Sequence, residues 1–474
     1  MGLASAPVNL DPRFATDAAS SRVNRLLYRR LVEFDAADRP VPGLADWERL
    51  APDHYRFRLR EGDGRQFSHG RRLTSEDVRA TIAALLDPAA GSPYRTQLEP
   101  IERMEIVDPE RIDFHLSRPD PLFPALMALD IMPADLLATG HPLHSAPVGS
   151  GPFVLDQWPE SGRLRLRRRR DGQLVELVQV KDPGVRVMKL LRGEIDLLQS
   201  DLPPELFRFL GERERVRVTR RPGSNFTYIG LNMEDPHLRK PRVRRAIAQA
   251  IDRLAIISHV MAGAALPAQA LLPPHHWAGV ADLPELARDL PLARRLLQQA
   301  GYGADNPLEL EYKTSTDPFR VRLATIIQAQ LAEAGIRVRV RSLDWGTFFG
   351  DVKNGRFQMY SLTWVGIKTP DQFRYVFHSD SVPPAGANRG RYRSAAADAL
   401  IERAERMPDP AAQATVYREL QRLLLEELPY IPLWYEDQIM AVRPGIRGYE
   451  LAADGRYDGL AEIEDAAAGN GGKR

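Results

Sequence analysis

The stretch Leu308 to Leu343, LELEYKTSTDPFRVRLATIIQAQLAEAGIRVRVRSL, decides the architecture. Its first eight residues alternate apolar and polar side chains, the period of a strand. FRVRLATIIQAQLAEAG is a run of helix formers that stops at Gly335, a residue suited to the backbone just past a helix end. IRVRVRSL then alternates again. Two strands joined through a helix make a β-α-β unit of parallel type, so the fold is α/β.

The pattern extends outward. FQMYSLTWVG reads as another strand, and NFTYIGLNM from Asn225 as an apolar one. KPRVRRAIAQAIDRLAIISHVM reads as one long amphipathic helix, and ALPAQALLPPHHW as a surface loop. PDPAAQATVYRELQRLLLEELPYIPLWYEDQIMAV supplies a helix and a last strand. Toward the N-terminus, Val23, Leu26, Leu27, Leu31 and Val32 predict a helix from Arg22 to Phe34, capped by Ser20 or Ser21. Alternating Tyr55, Phe57 and Leu59, a turn at Glu61 to Gly64, a helix capped at Thr74 or Ser75, and the strands MEIVD and RIDFHL make a small α+β unit ending near Ser145. APVGSGPFVLDQW opens a strand after a Gly-rich turn. Arg163 to Arg170 reads as a solvated hairpin edge in preference to an anion site. A helix stops at Gly193 and a strand follows. There is no internal repeat, and Gly469 to Gly472 read as a disordered tail.

At 474 residues the chain exceeds one ordinary domain, so at least two lobes are expected. With 43% hydrophobic and 27% charged residues it has the composition of a soluble globular protein, and no window approaches the roughly 18 apolar residues of a membrane span. The net charge of +2 gives no reason to expect a nucleic-acid partner. The absence of cysteine removes disulfides, thiol nucleophiles and Cys-based metal sites, and suits an oxidising compartment. No signal peptide is legible at Met1-Gly2-Leu3-Ala4. Walker, G-x-S-x-G and H-E-x-x-H signatures are missing, and Pro152 spoils a dinucleotide fingerprint at Gly149-Ser150-Gly151. His141 and His144 lie in a loop with Pro142, and His275-His276 in a Pro-rich one, so no metal site is expected at either. No carboxylate pair stands out for acid-base work.

In order along the chain, LLYRRLVEFD, FSHGRRLTSEDV, PVGSGPFVL, RRAIAQAIDR, TWVGIKTPDQF, NRGRYRSAAADALI and LPYIPLWY resemble the extracytoplasmic solute-binding proteins of family 5, the peptide- and nickel-type receptors of ABC importers. The likeness spans about Ala4 to Tyr449. It implies a two-lobed periplasmic binding protein type 2 fold, with an extra small α+β domain and a two-strand hinge. Residues 1–44, 149–224 and 437–474 would form one lobe, 45–148 the small domain and 225–436 the other lobe. Ligand would bind between the lobes as they close.

The resemblance also implies a role: capture of a peptide or peptide-like solute, without chemistry or a cofactor. The protein would be a periplasmic monomer, with an anchoring segment upstream as one option, delivering its solute to an ABC permease and ATPase. A cytoplasmic ligand-sensing domain of a transcriptional regulator is the alternative, and a hydrolase a more distant one. Where members read W-x-G-D, with the Asp pairing the free α-amine of a peptide, this sequence reads Trp364-Val365-Gly366-Ile367. A buried ammonium without a counter-charge costs several kcal/mol, so an amine-blocked, cyclic or uncharged-end ligand becomes an option. Asp371 is a candidate substitute, although Asp commonly stabilises turns such as Thr369-Pro370-Asp371.

Trp364 and Gly366 would offer stacking area and close backbone approach. Asn388 and Arg389 could bind a carboxylate through the arginine fork, against a surface ion pair. Trp434 and Tyr435 are expected to be half core and half binding surface. Phe14, Thr16 and Asp17 sit in an early loop that the family often directs at ligand. Gly149 and Ser150 form a turn at the lobe boundary, as readily structural as contacting. Two departures stand out: the first strand before SAPVNLDP is nearly absent, and the segment between RRRRDGQL and VRVMKLL is short.

Overall fold

The computed structural model describes residues 1–158 and 162–465; the Gly-rich tail lies outside the described residues. The chain forms two compact units, Met1–Arg221 with Gln438–Arg474, and Pro222–Asp437. It passes from one to the other inside two strands, Arg217–Leu231 and Tyr430–Val442.

In the second unit the strands Leu308–Ser315 and Ile336–Leu343 pair in parallel along their whole length, from Leu308↔Ile336 to Ser315↔Leu343. Between them lies the helix Pro318–Glu333, which starts where the Asp317 carboxylate accepts the Arg320 N–H at 2.9 Å. It ends at Gly335, whose φ of +90° is left-handed backbone. Met359–Trp364 joins the first of these strands in parallel and pairs antiparallel with Phe226 to Leu231, placing Trp364 opposite Phe226 and Thr363 opposite Thr227. Ile229, Ile247, Tyr312, Ile327, Leu331 and Leu433 are among the side chains that close the core of this unit.

The long helix expected from Lys240 is broken. Pro241–Ala250 ends at an extended Ile251, and Asp252 starts a new turn by capping the Ala255 N–H at 2.8 Å. The break serves Arg253, which is buried and donates to the carbonyls of Ala268, Leu286 and Pro432. A straight helix would leave those carbonyls without the guanidinium.

The first unit holds an outer sheet in the order Phe153–Gln157, Arg163–Arg168, Leu174–Gln179, Gly2–Leu3, Leu197–Gln199, then the end of Tyr430–Val442. A second, antiparallel sheet of Ala45–Ala51, His54–Leu59, Arg111–Leu116 and Ile101–Asp108 buries Phe57, Phe114 and Phe123 together with the helix Ser75–Leu86.

Two local expectations are corrected here. The first helix is Ala18–Leu27 with Asp17 as its cap, the Ser20 N–H donating to that carboxylate at 2.8 Å. Leu31 and Val32, although at helical spacing, leave the helix because the Leu31 carbonyl accepts from Gly43 and Ala45. The arginine run is not an edge: Arg163–Arg168 has strands on both sides, and Arg168 is buried.

Candidate functional site

At the end of strand Met359–Trp364 the second unit gathers aromatic rings around one guanidinium. Tyr228 stacks on Tyr430 with centroids 3.9 Å apart and planes within 14°. It lies parallel to Trp364 at 6.5 Å and to Phe226 at 5.7 Å, while Tyr360 meets it edge-on at 5.9 Å. Strand register causes this: Phe226, opposite Trp364, and Tyr228, two residues on, project from the same side of the pleat.

Arg389 reaches this cluster from the loop that follows Pro383 and Pro384. Its Cζ sits 4.8 Å from the Trp364 ring and 5.3 Å from Phe349. The side chain is 9% exposed. Its one protein hydrogen bond goes from Nη1 to the Tyr228 hydroxyl at 3.3 Å, and Nε has no protein partner. No carboxylate lies within ion-pair distance among the described residues. Burial raises the hydroxyls of Tyr360 and Tyr430 well above the ordinary tyrosine value, so both stay neutral. The guanidinium is therefore held by π faces and one hydroxyl, without an anion. Trp364 Nε1 and the Tyr430 hydroxyl likewise lack protein partners.

The remaining sequence candidates divide. Val365 is 56% exposed, Gly366 takes a φ of +73°, and Ile367 turns inward at 6% exposure. An apolar, enclosed Ile367 cannot neutralise an ammonium. Asp371 is exposed and accepts from the Thr369 hydroxyl, as a turn residue does. Asn388 is buried, and its amide joins the His378 and Tyr392 carbonyls to the Tyr392 N–H, so its hydrogen-bonding capacity fixes the loop that carries Arg389. Trp434 is wholly enclosed in the core, where a half-exposed ring was expected. Tyr435 is buried as well, its hydroxyl donating to the Ala270 and Leu272 carbonyls at 2.6 and 2.9 Å.

In the first unit, Arg13 lies over the Phe14 ring, Thr16 is exposed and Asp17 is the helix cap already described. Gly149 is required by packing, since a Cβ there would come 2.1 Å from the Leu27 carbonyl oxygen. Ser150 is buried with an unpartnered hydroxyl.

Sequence reasoning missed Tyr228, Tyr430, Tyr360 and Phe349, which carry no local signal that separates them from other strand and helix aromatics. It also missed Glu436, which accepts from the Thr227 hydroxyl at 2.8 Å and from Arg320 at 3.3 Å. The cross-strand pairing of Thr227 with Thr363 carries that group, and pairing is invisible along the chain.

Comparison with known proteins identifies the family. The family profile of bacterial extracellular solute-binding proteins, family 5 (middle part), matches residues 39–383. "Probable di/tripeptide-binding protein 5" of Pseudomonas aeruginosa is 29% identical, over 91% of this chain and 89% of the relative. The dipeptide-binding protein of Escherichia coli K12 is 26% identical, over 95% and 91%. Among solved structures, the periplasmic binding protein DppA of Helicobacter pylori in complex with the peptide STSA superposes with a TM-score of 0.80 at 25% identity, over 98% and 97% of the two chains. CtaP of Listeria monocytogenes reaches 0.88 at 20% identity over 98% of each, a likeness of fold alone. The protein has the α/β fold of the periplasmic binding proteins. It belongs to the bacterial extracellular solute-binding proteins of family 5. No described helix is long and apolar enough to cross a membrane.

Proposed function

We propose that this chain is the substrate-binding subunit of an ABC importer, and that it captures a short peptide or peptide-like solute through a carboxylate held by Arg389. The observation that carries the reading is a guanidinium, 9% exposed, that lies over Trp364 without a carboxylate of its own. A buried cation without an anion is costly, and a planar fork matches a carboxylate in two parallel hydrogen bonds. The Trp364 face supplies stacking area beside it. Ile367 stands where members of the family often carry the acid for a peptide amine, so recognition rests on the carboxyl end. The similarity to di- and tripeptide-binding proteins supports this solute class. Delivery to a membrane permease follows from the role of such subunits.

The test is a thermal-shift panel of di- and tripeptides, each also as its N-acetyl and its C-terminal amide form, because a solute selective for the folded state raises the melting temperature. The expected result is a shift that survives acetylation and is lost on amidation. Equal shifts from the acid and the amide would overturn the carboxylate reading.

A further inference from the structure

The first unit contains a cavity of about 910 Å³, lined entirely by its own residues. Arginine dominates the wall, and four carboxylates share it: Glu33, Glu61, Asp458 and Glu462. Each is already matched. Arg25 binds Glu33 at 2.9 Å and Asp458 at 2.6 Å, Arg72 binds Glu61 at 2.6 Å, and Arg170 binds Glu462 at 2.7 Å. Two further wall arginines, Arg65 and Arg168, pair with Glu110 and Asp171, which do not line the cavity.

Arg29 and Arg169 remain, both exposed and neither within ion-pair distance of a carboxylate among the described residues. Arg169 is aimed by the backbone. Its Nη1 donates to the Gln66 carbonyl at 2.9 Å and the Gly151 carbonyl at 3.4 Å, leaving the other N–H groups of the fork for the cavity. Its neighbour Arg168 anchors the turn by donating to the Ile463 carbonyl at 2.7 Å and the Ala461 carbonyl at 2.9 Å. The run that reads as a solvated edge in sequence thus delivers one fixed, uncompensated guanidinium to a concave wall.

An independent group points to the same place. Ser150 lines the cavity at 1% exposure, and its hydroxyl has no protein partner. Gly149 and Gly151 hold it there, because a Cβ at either would run into the Leu27 carbonyl, at 2.1 and 2.7 Å. A buried hydroxyl without a partner loses free energy unless something polar reaches it. Two cations left without counter-charges on a concave wall draw anions to it, and the low-dielectric wall strengthens that field.

We infer that this cavity is a binding site for a small polyanion carrying two or more phosphate groups, held by Arg29 and Arg169 with Ser150 Oγ donating to a phosphate oxygen. Arginine forks match phosphate oxygens bidentately, and the volume exceeds what a single phosphate fills. The site uses none of the groups proposed for the peptide, so it stands or falls apart from that reading.

The probe is inorganic pyrophosphate, titrated calorimetrically into the full chain at low and at physiological salt, with citrate and inorganic phosphate as comparison arms. Saturable binding of pyrophosphate is expected, tighter than phosphate or citrate and weakened by salt. R29Q with R169Q should weaken it tenfold or more while leaving peptide-induced thermal shifts unchanged. R29Q alone, at an exposed side chain with no ion pair, should weaken it severalfold and guards against a folding defect in the double variant. No saturable binding of pyrophosphate would overturn the inference, as would unchanged affinity in R29Q and the double variant. Tighter binding of citrate would overturn the phosphate assignment.

Discussion

Replacing Arg389 with Met tests whether that side chain serves a solute or the fold. The substitution keeps an unbranched side chain between the aromatic faces and removes the charge. On the folded protein it forfeits one hydrogen bond to the Tyr228 hydroxyl, worth about 1.5 kcal/mol for a charged donor. It also forfeits contacts over Trp364 and Phe349 worth about 1 to 2 kcal/mol. Against this, it relieves the desolvation of a buried cation without an anion, a cost of several kcal/mol. The opposing effects leave stability within about 1 kcal/mol of the native chain. Binding has no such offset: two charge-assisted bonds to a solute carboxylate contribute about 3 kcal/mol net, or roughly 150-fold in Kd. The assay is calorimetric titration of both proteins with the tightest-binding peptide of the panel and its C-terminal amide, alongside thermal unfolding. The native protein should prefer the acid by about two orders of magnitude, and Arg389→Met should erase the preference. A variant that melts far below the native chain yet keeps its preference for the acid would refute the reasoning and make Arg389 a packing residue.

Gly149→Ala should destabilise the first unit by about 3 kcal/mol or more, read as a lower urea midpoint, because the new Cβ would sit 2.1 Å from the Leu27 carbonyl oxygen and backbone has to move; an unchanged midpoint would show that the turn yields freely. Asp113 takes hydrogen bonds from Arg56 and His54, and the Arg56 guanidinium above all holds its carboxyl below the usual range. A depressed folded-state value means that its stabilisation is complete above the unfolded carboxylate value of about 3.9 and fades as the pH falls through the folded value. Asp113→Asn should therefore flatten the acid limb of the stability profile, and an unaltered slope below pH 4 would count against the pairing.

Much of the architecture was legible because it is written in local periodicity. The parallel pair around Pro318–Glu333 follows from alternation, the Asp317 cap and Gly335, and the Pro410–Glu427 helix and the strand after it follow as directly. Readings failed where a distant group outweighed local spacing. Arg253 breaks one helix to reach carbonyls as far away as Pro432, and Gly43 and Ala45 draw Leu31 out of another.

The sequence by itself determined the α/β class, the ordered motifs that resemble the family, and the presence of Trp364, Ile367 and Arg389, since residue identity and short-range pattern suffice for these. Only the tertiary structure decided that Trp434 is core, that Asn388 is used up in its own loop, and that Arg389 meets Trp364 without an anion. It also decided that Arg169 and Ser150 face one cavity. Those outcomes depend on strand register and on which polar groups find partners in space, some in the same loop, as for Asn388, and some more than a hundred residues away, as for Arg389 with Tyr228 and Arg169 with Gln66. The free energy of a buried charge or hydroxyl is set by the groups that surround it in space, and those are fixed by folding.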